Sequence, residues 1–282
     1  MTQTLRCFRL GEATITIINT GTIQANLAKW FNITDPEAYP QYTDILTHAI
    51  HIPVQCIHID IFGTSILVDA CDPAVIALTS FAPPNYQPPP DCVQQLTSIG
   101  ISPASIDHVI ITHGHFDHYS NLTTTHRGHT EICFPNARHY LGRADWDKVQ
   151  DKLHDPDSIE NRALLPVYHN GLLELIDTPQ ELGRSVQLLP APGDTPGHQI
   201  VRMHSDGKTI YCLGDLFHHT VEVAHPEWSA YWSDIETKQH SRQMLCAAAF
   251  DENALLIATH IPSIGRLQQT DTGYIWQAVT SV

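Results

Sequence analysis

Residues 112–121 read THGHFDHYSN. Three histidines and an aspartate, His113, His115, Asp117 and His118, fall within six positions. The preceding run HVIIT (108–112) is β-branched and reads as a short strand. A strand sends residues two apart to one side, and a helix aligns residues three or four apart. Gly114 permits a tight turn between the first two histidines. If a helical turn starts after His115, then Asp117 and His118 face the same cavity, and all four side chains converge. Imidazole nitrogens and carboxylate oxygens are suited to zinc. The spacing differs from the helical H-E-x-x-H pattern, so the ligands are expected at a strand end. With 19 histidines in the chain, a lone histidine would carry little weight. The H-x-H-x-D-H grouping carries far more.

Strand-like segments surround this cluster. ATITIINT (13–20) reads as a strand, and VQCIHIDIFGTSILVDA (54–70) as two strands turning at Phe62-Gly63. LLELID (172–177), VQLLPA (186–191), IVRMHS and TIYCLG follow, the last pair joined by a DGK turn. ALLIATH (254–260) is a further strand that ends on a histidine. Helices are expected over DCVQQLTSIG (91–100), ADWDKVQDKL (144–153) and 233–250, where Ser233 and Glu236 fit a capping box. The stretch NLAKWFNITDPEAYPQYTD is expected to be a long loop or lid, and FAPPNYQPPPD is too proline-rich for a regular element. Many strands and few helices suggest sheet layers flanked by helices, in a single domain over 1–282.

Composition narrows the partners. Fifteen basic and 30 acidic residues give a formal charge of −15. A nucleic-acid binder needs a basic footprint, and an acidic membrane repels such a surface. The expected partner is a small molecule; a homodimer is compatible with the sequence. The seven cysteines are odd in number and scattered, which fits small core residues in a reducing compartment rather than a disulfide framework. No apolar run is long enough to span a membrane, and the opening residues show no signal-peptide pattern, so a cytoplasmic location is expected.

The cluster and three downstream positions resemble the metallo-β-lactamase-fold hydrolases over nearly the whole chain. His113, His115, Asp117 and His118 match the first motif of that family; His198 in PGDTPGHQ, Asp215 in YCLGDLFHH and His260 in IATHIP match the later ones. The resemblance implies a four-layer αβ/βα sandwich with two metals at one edge of the inner sheets. One metal would take His113, His115 and His198; the other would take Asp117, His118 and His260; Asp215 would bridge them. It also implies that Asp69 supports a ligating histidine. Zinc is the first expectation, with manganese, iron or cobalt as alternatives.

The family's chemistry implies attack by a metal-bridging hydroxide on an ester-type bond. Asp117, Asp215 and His218 are the expected catalytic residues, with His218 or His219 donating a hydrogen bond to the developing anion. His115 stands where flavodiiron relatives are expected to carry glutamate, which disfavours redox chemistry. The final segment LQQTDTGYIWQAVTSV lacks the basic residues of glutathione thioesterases. His218 stands where quorum-signal lactonases carry tyrosine. The layout is similar to the lactonase and methyl parathion hydrolase-like branch, so opening of a lactone is expected, with aryl phosphotriester or glyoxalase II-like thioester hydrolysis as alternatives. A non-catalytic, metal-stabilised binding protein is a further alternative. Trp30, Phe31, Phe81, Tyr86 and Phe116 are candidate walls of an apolar pocket.

Overall fold

The HVIIT run becomes an inner strand of a mixed sheet, and its carboxyl end carries the histidine cluster. The computed structural model describes residues 5–126 and 128–280. The first sheet contains β1 (Leu5–Leu10), β2 (Ala13–Ala25), β3 (Ile50–Ile61), β4 (Thr64–Val68) and β5 (His108–Ile110). A separate hairpin, β6 (Thr123–His126) and β7 (His129–Ile132), precedes the last two strands of that sheet, β8 (Arg138–Gly142) and β9 (Leu173–Ile176). Strands β1 to β4 pair antiparallel; β4, β5, β8 and β9 run parallel.

The second sheet runs in chain order: β10 (Gln180–Leu182), β11 (Val186–Pro190), β12 (Gln199–Ser205), β13 (Lys208–Cys212), β14 (Leu255–Ile257), β15 (Gly265–Thr270) and β16 (Gly273–Ala278). Its one parallel pairing is β13 with β14. Parallel neighbours end at the same edge. That is why Asp69 after β4, His113 after β5, Asp215 after β13 and His260 after β14 meet there.

Helices cover the outer faces. On the first sheet lie α1 (Leu27–Trp30), α2 (Thr43–Thr47), α3 (Pro73–Ile76), α4 (Cys92–Ser98), α5 (Arg143–Lys148) and α6 (Ile159–His169). On the second lie α7 (Val221–Ala224) and α8 (Ile235–Asp251). Between the sheets, alternate residues of both meet in a dry layer that includes Ile15, Ile57, Ile59, Val68, Ile110, Leu188, Val201, Met203, Ile210 and Ile257. Period-two alternation drives this burial, and each such side chain contributes roughly 1.5–3 kcal/mol when removed from water. The expected helix–sheet–sheet–helix sandwich is the observed fold.

Several expectations change in detail. The 144–153 segment divides into α5 and a 3-10 turn over Gln150–His154. The stretch expected as a long loop or lid holds α1 and α2. The cap of α8 is Asp234, whose carboxylate accepts from the Thr237 amide at 3.1 Å; Ser233 does not cap it. Ser233 is engaged elsewhere, as described below. A capping box does form at α4, between Asp91 and Gln94. Among the described residues, no helix is long and apolar enough to cross a membrane. All seven cysteines are free thiols.

Candidate metal centre

The loop after β5 folds as anticipated. His113 leaves the strand, Gly114 turns the chain, and Phe116–His118 form a 3-10 turn that brings Asp117 and His118 back to the same cavity. A buried aspartate makes this possible. Asp145, on α5, accepts the Gly114 amide at 2.7 Å, the Gly197 amide at 2.7 Å and the Thr195 hydroxyl at 2.6 Å. One carboxylate thereby clamps the two loops that line the centre. Gln55 does comparable work for the His260 loop, donating to the carbonyls of Ala258 (3.0 Å) and Ile261 (2.8 Å).

Two groups of donor atoms result. The first contains His113, His115, Asp194 and Asp215; the second contains Asp117, His118 and His260; within each, the donors lie within 4.8 Å of one another. In the first, Asp194 Oδ2 stands 3.3 Å from His115 Nδ1 and 3.5 Å from His113 Nε2. In the second, the Asp117 oxygens stand 3.6 Å from His118 Nε2 and 3.5 Å from His260 Nε2. Asp215 Oδ2 lies between the groups. It is 3.7 Å from His113 Nε2, 3.4 Å from His118 Nε2 and 3.2 Å from His260 Nε2.

His198 is a correction. It was expected in the first group, but its Nε2 accepts the Asp215 backbone amide at 3.1 Å and so points behind the ligand cavity. Asp194, four residues earlier, takes the inward position. Pro192 and Gly193 set this up. Gly193 has φ of 137°, and a Cβ there would lie 2.3 Å from the Lys238 Cα, so only glycine lets the loop approach α8.

The surroundings orient the donors. Asp69 Oδ2 is 2.8 Å from His118 Nδ1, and the same carboxylate takes the Thr112 amide at 2.8 Å and hydroxyl at 2.9 Å. His260 Nδ1 lies 2.8 Å from the Pro53 carbonyl. Each contact occupies Nδ1 and leaves Nε2 facing the centre, which fixes tautomer and ring orientation.

The donors fit divalent metal. Ligands about 2.0–2.1 Å from a tetrahedral zinc stand roughly 3.3 Å apart, the spacing seen within both groups. His118 Nε2, Asp194 Oδ2, Asp215 Oδ1 and His218 Nε2 are buried atoms without a hydrogen-bond partner. Four such orphans around one small cavity call for a cation. In and around the centre, the buried carboxylates Asp69, Asp117, Asp194, Asp215 and Glu222 outnumber the buried cations Lys238 and Arg242.

Charge organises the donors accordingly. Burial and the imidazoles of His118 and His115 push His113 well below the ordinary histidine value, which keeps it a neutral donor. Burial, with Lys238 and His118, takes His198 down to about 3 against the pull of Asp194 and Asp215. For Asp194, burial works upward, but Lys238 and the nearby histidines hold the carboxyl well below its usual range. Asp215 likewise stays ionised against burial because His260, His118 and His218 face it. Burial opposes a charge on His118, yet Asp215, Asp117 and Asp69 hold it well above the ordinary value, so a metal bound at its Nε2 would displace a proton.

His218 and His219 divide their expected roles. His218 is 1% exposed, and its Nε2 lies 3.3 Å from Asp215 Oδ2 and 3.6 Å from Asp194 Oδ1. Burial and Lys238 push its pKa down, and Asp215 with Glu222 carries it up to about 9. His219 turns away: its Nδ1 accepts the Val221 amide at 3.2 Å, an ordinary turn contact. Trp228 stacks on His225 at 4.2 Å and on Phe31 at 5.8 Å.

A cavity of about 210 Å³ opens onto the donors, bounded by Ile23, Trp30, Phe81, Phe116 and Trp232 on its apolar side and by His115, Asp117, Asp215, His218 and His260 on the other. Trp30, Phe81 and Phe116 thus stand where the sequence suggested. Phe31 and Tyr86 do not reach it, the tyrosine instead accepting the Thr22 amide at 3.4 Å.

A family model described as the metallo-beta-lactamase superfamily matches residues 59–260, a span that contains every donor in both groups. The chain belongs to the metallo-beta-lactamase superfamily. Among curated proteins, it is 29% identical over 187 residues to metallo-beta-lactamase domain-containing protein 1 of Xenopus laevis, covering 64% of this chain and 66% of that protein. An uncharacterized protein of Caenorhabditis elegans is 27% identical over 163 residues, covering 55% of this chain and 37% of the other. The chain therefore spans less than two thirds of the length of these relatives. Solved structures with the same fold include AidC, a dizinc quorum-quenching lactonase, at TM-score 0.78 and 19% identity over 100% of this chain and 99% of that one. The hydrolase AbOPH matches at TM-score 0.82 and 18% identity over the same shares. The fold, the family match and the paired donor groups make this a superfamily member with a candidate divalent-metal site.

Proposed function

We propose that this chain is a dinuclear-metal hydrolase that opens a lactone or related cyclic ester. The observation that carries the reading is the position of Asp215 Oδ2 within 3.2–3.7 Å of histidine nitrogens from both donor groups. His113, His115 and Asp194 would hold one metal, Asp117, His118 and His260 the other, and Asp215 both. When bound, such ions supply Lewis acidity and an activated water for hydrolysis.

The chain's own residues do the rest. Asp69 and the Pro53 carbonyl keep His118 and His260 in register. The aromatic wall excludes water and receives the apolar body of the substrate. At about 210 Å³ the cavity is below the roughly 300–1,000 Å³ of sites for drug-sized ligands, so the substrate is small. Among the described residues no lysine or arginine lines it, which gives no counter-charge for the carboxylates of a glutathione thioester. A neutral lactone meets none of that cost. The dizinc lactonase AidC, which shares the fold, is consistent with this choice.

His218 points an unpartnered Nε2 toward the space between Asp194 and Asp215. From there it would donate a hydrogen bond to the substrate oxygen as negative charge develops. Removing one such donor costs about 3 kcal/mol of transition-state stabilisation. The His218→Ala variant should therefore lose roughly 10²-fold in kcat/KM, mostly in kcat, while keeping its metals. His219→Ala should retain near-normal rates, because that imidazole only caps a turn. Unchanged lactone kinetics in metal-loaded His218→Ala would remove His218 from the mechanism.

The substrate class is tested by comparing kcat/KM for matched lactones, aryl esters, glutathione thioesters and aryl phosphotriesters. Lactones should lead. A dominant thioesterase or phosphotriesterase activity would overturn the lactone reading, and inactivity of a fully metal-loaded sample on every class would favour a binding protein.

A further inference from the structure

We propose that Lys238 is a positioning residue of the metal centre, which pins one oxygen of Asp194 so that the other serves as a metal ligand. The inference rests on Asp194 belonging to the first donor group.

Lys238 is fully buried, an unusual place for an ammonium group unless it is paired. Its Nζ donates to Asp194 Oδ1 at 2.6 Å, and Ser233 Oγ donates to the same oxygen at 2.9 Å. Oδ2 of the same carboxylate has no hydrogen-bond partner and faces His113 and His115. One oxygen is thus saturated from the protein side and the other is open toward the cavity.

The backbone is built around this pairing. The Asp234 amide donates to the Gly193 carbonyl at 2.8 Å, and Ser241 Oγ donates to the Pro192 carbonyl at 2.7 Å. The start of α8 therefore grips the two residues that lead into Asp194, and Gly193 removes the side chain that would keep them apart.

Lys238 also sets the charge. With Asp194 in the first group, each group contains two histidines and one carboxylate of its own beside the shared Asp215. The extra buried carboxylate would make the centre more anionic than His198 in its place. The ammonium cancels that charge, so the pair enters the site as a neutral unit.

Two physical effects oppose each other when Lys238 is removed. Coulomb attraction alone predicts tighter metal binding, because a nearby positive charge is gone. Loss of positioning predicts weaker binding, because Oδ1 keeps only the serine hydroxyl and the carboxylate is free to turn. The proposal requires the second to win.

The test titrates Co²⁺ into chelator-stripped protein, read by visible absorption and by metal content after gel filtration. Wild type should take up two equivalents. Lys238→Met should keep one and bind the other about 10–100-fold more weakly, the range for lost support of a ligand. The double variant Asp194→His/Lys238→Met should again hold two, because an imidazole needs no ammonium behind it. Two equivalents in Lys238→Met at wild-type or higher affinity would overturn the proposal. If Lys238→Met is not recovered folded, the double variant decides alone: two equivalents support the proposal, and one means that Lys238 is needed whatever residue stands at 194. Fewer than two in wild type would instead overturn the dinuclear reading itself, and this inference with it.

Discussion

Asp215→Ala should abolish hydrolysis and empty both halves of the centre in a chain that still folds. Among the described residues, no other carboxylate approaches histidines of both donor groups, so its loss removes a ligand from each at once. It also removes the anion that faces His118, His218 and His260. The fall in kcat/KM should exceed the roughly 10²–10³-fold lost with one oxyanion donor, because the metals go with it. Asp117→Ala supplies the contrast. It removes a carboxylate from the second group alone, so one metal should remain. Metal analysis of the two variants beside wild type checks this. Retention of both metals in Asp215→Ala would mean that the aspartate does not bridge.

Arg242→Met should produce the largest loss of stability. Arg242 is 1% exposed and donates to the carbonyls of Leu216 (2.8 Å) and Trp228 (2.7 Å), as well as to the Glu222 carboxylate. Glu222 in turn accepts the His218 and His219 amides, so the pair shapes the loop that presents His218. Breaking a buried ion pair from one side costs roughly 3–5 kcal/mol, since an uncompensated charge stays behind. In a chain of this size that lowers Tm by on the order of 10 °C. Thermal unfolding of metal-loaded protein measures it, and a shift within error of zero would count against the pair.

The pair also predicts a pH dependence. Burial raises the Glu222 carboxyl, but Arg242 and His218 take it down to about 2 from an ordinary 4.5. A depressed carboxylate contributes its stability in full above the unfolded value and loses it as pH falls through the folded one. The contribution should therefore fade between pH 4.5 and about 2. Glu222→Gln should show a shallower stability loss across that window than wild type.

Much of this was legible in the sequence because alternation and strand ends are local signals. HVIIT, ILVDA and ALLIATH each read as strands delivering a polar residue at their ends, and the parallel pairings place those ends together. The edge elements were less legible. β15 and β16, RLQQT and GYIWQA, are half-exposed with mixed polarity, and α6 carries Pro166 inside it. Their stability comes from pairing and packing with neighbouring elements rather than from their own pattern.

The choice between Asp194 and His198 shows the same limit. PGDTPGH offers two donors four residues apart, and residue type favours the histidine. What decides it is the approach of α8, whose Lys238, with Ser233 just before the helix, holds Asp194 from 39 to 44 residues away. That also explains why Ser233 does not cap α8: its hydroxyl is committed to Asp194. Asp145 was equally hidden, as an aspartate in an amphipathic helix whose partners are three loop groups distant in sequence.

The dinuclear centre is tested most directly by the metal content of the wild-type chain, stripped and reloaded, against protein concentration and lactonase rate together. Uptake should stop at two equivalents, with activity returning as the second half fills. A folded sample that hydrolyses lactones with no metal bound would contradict the centre outright.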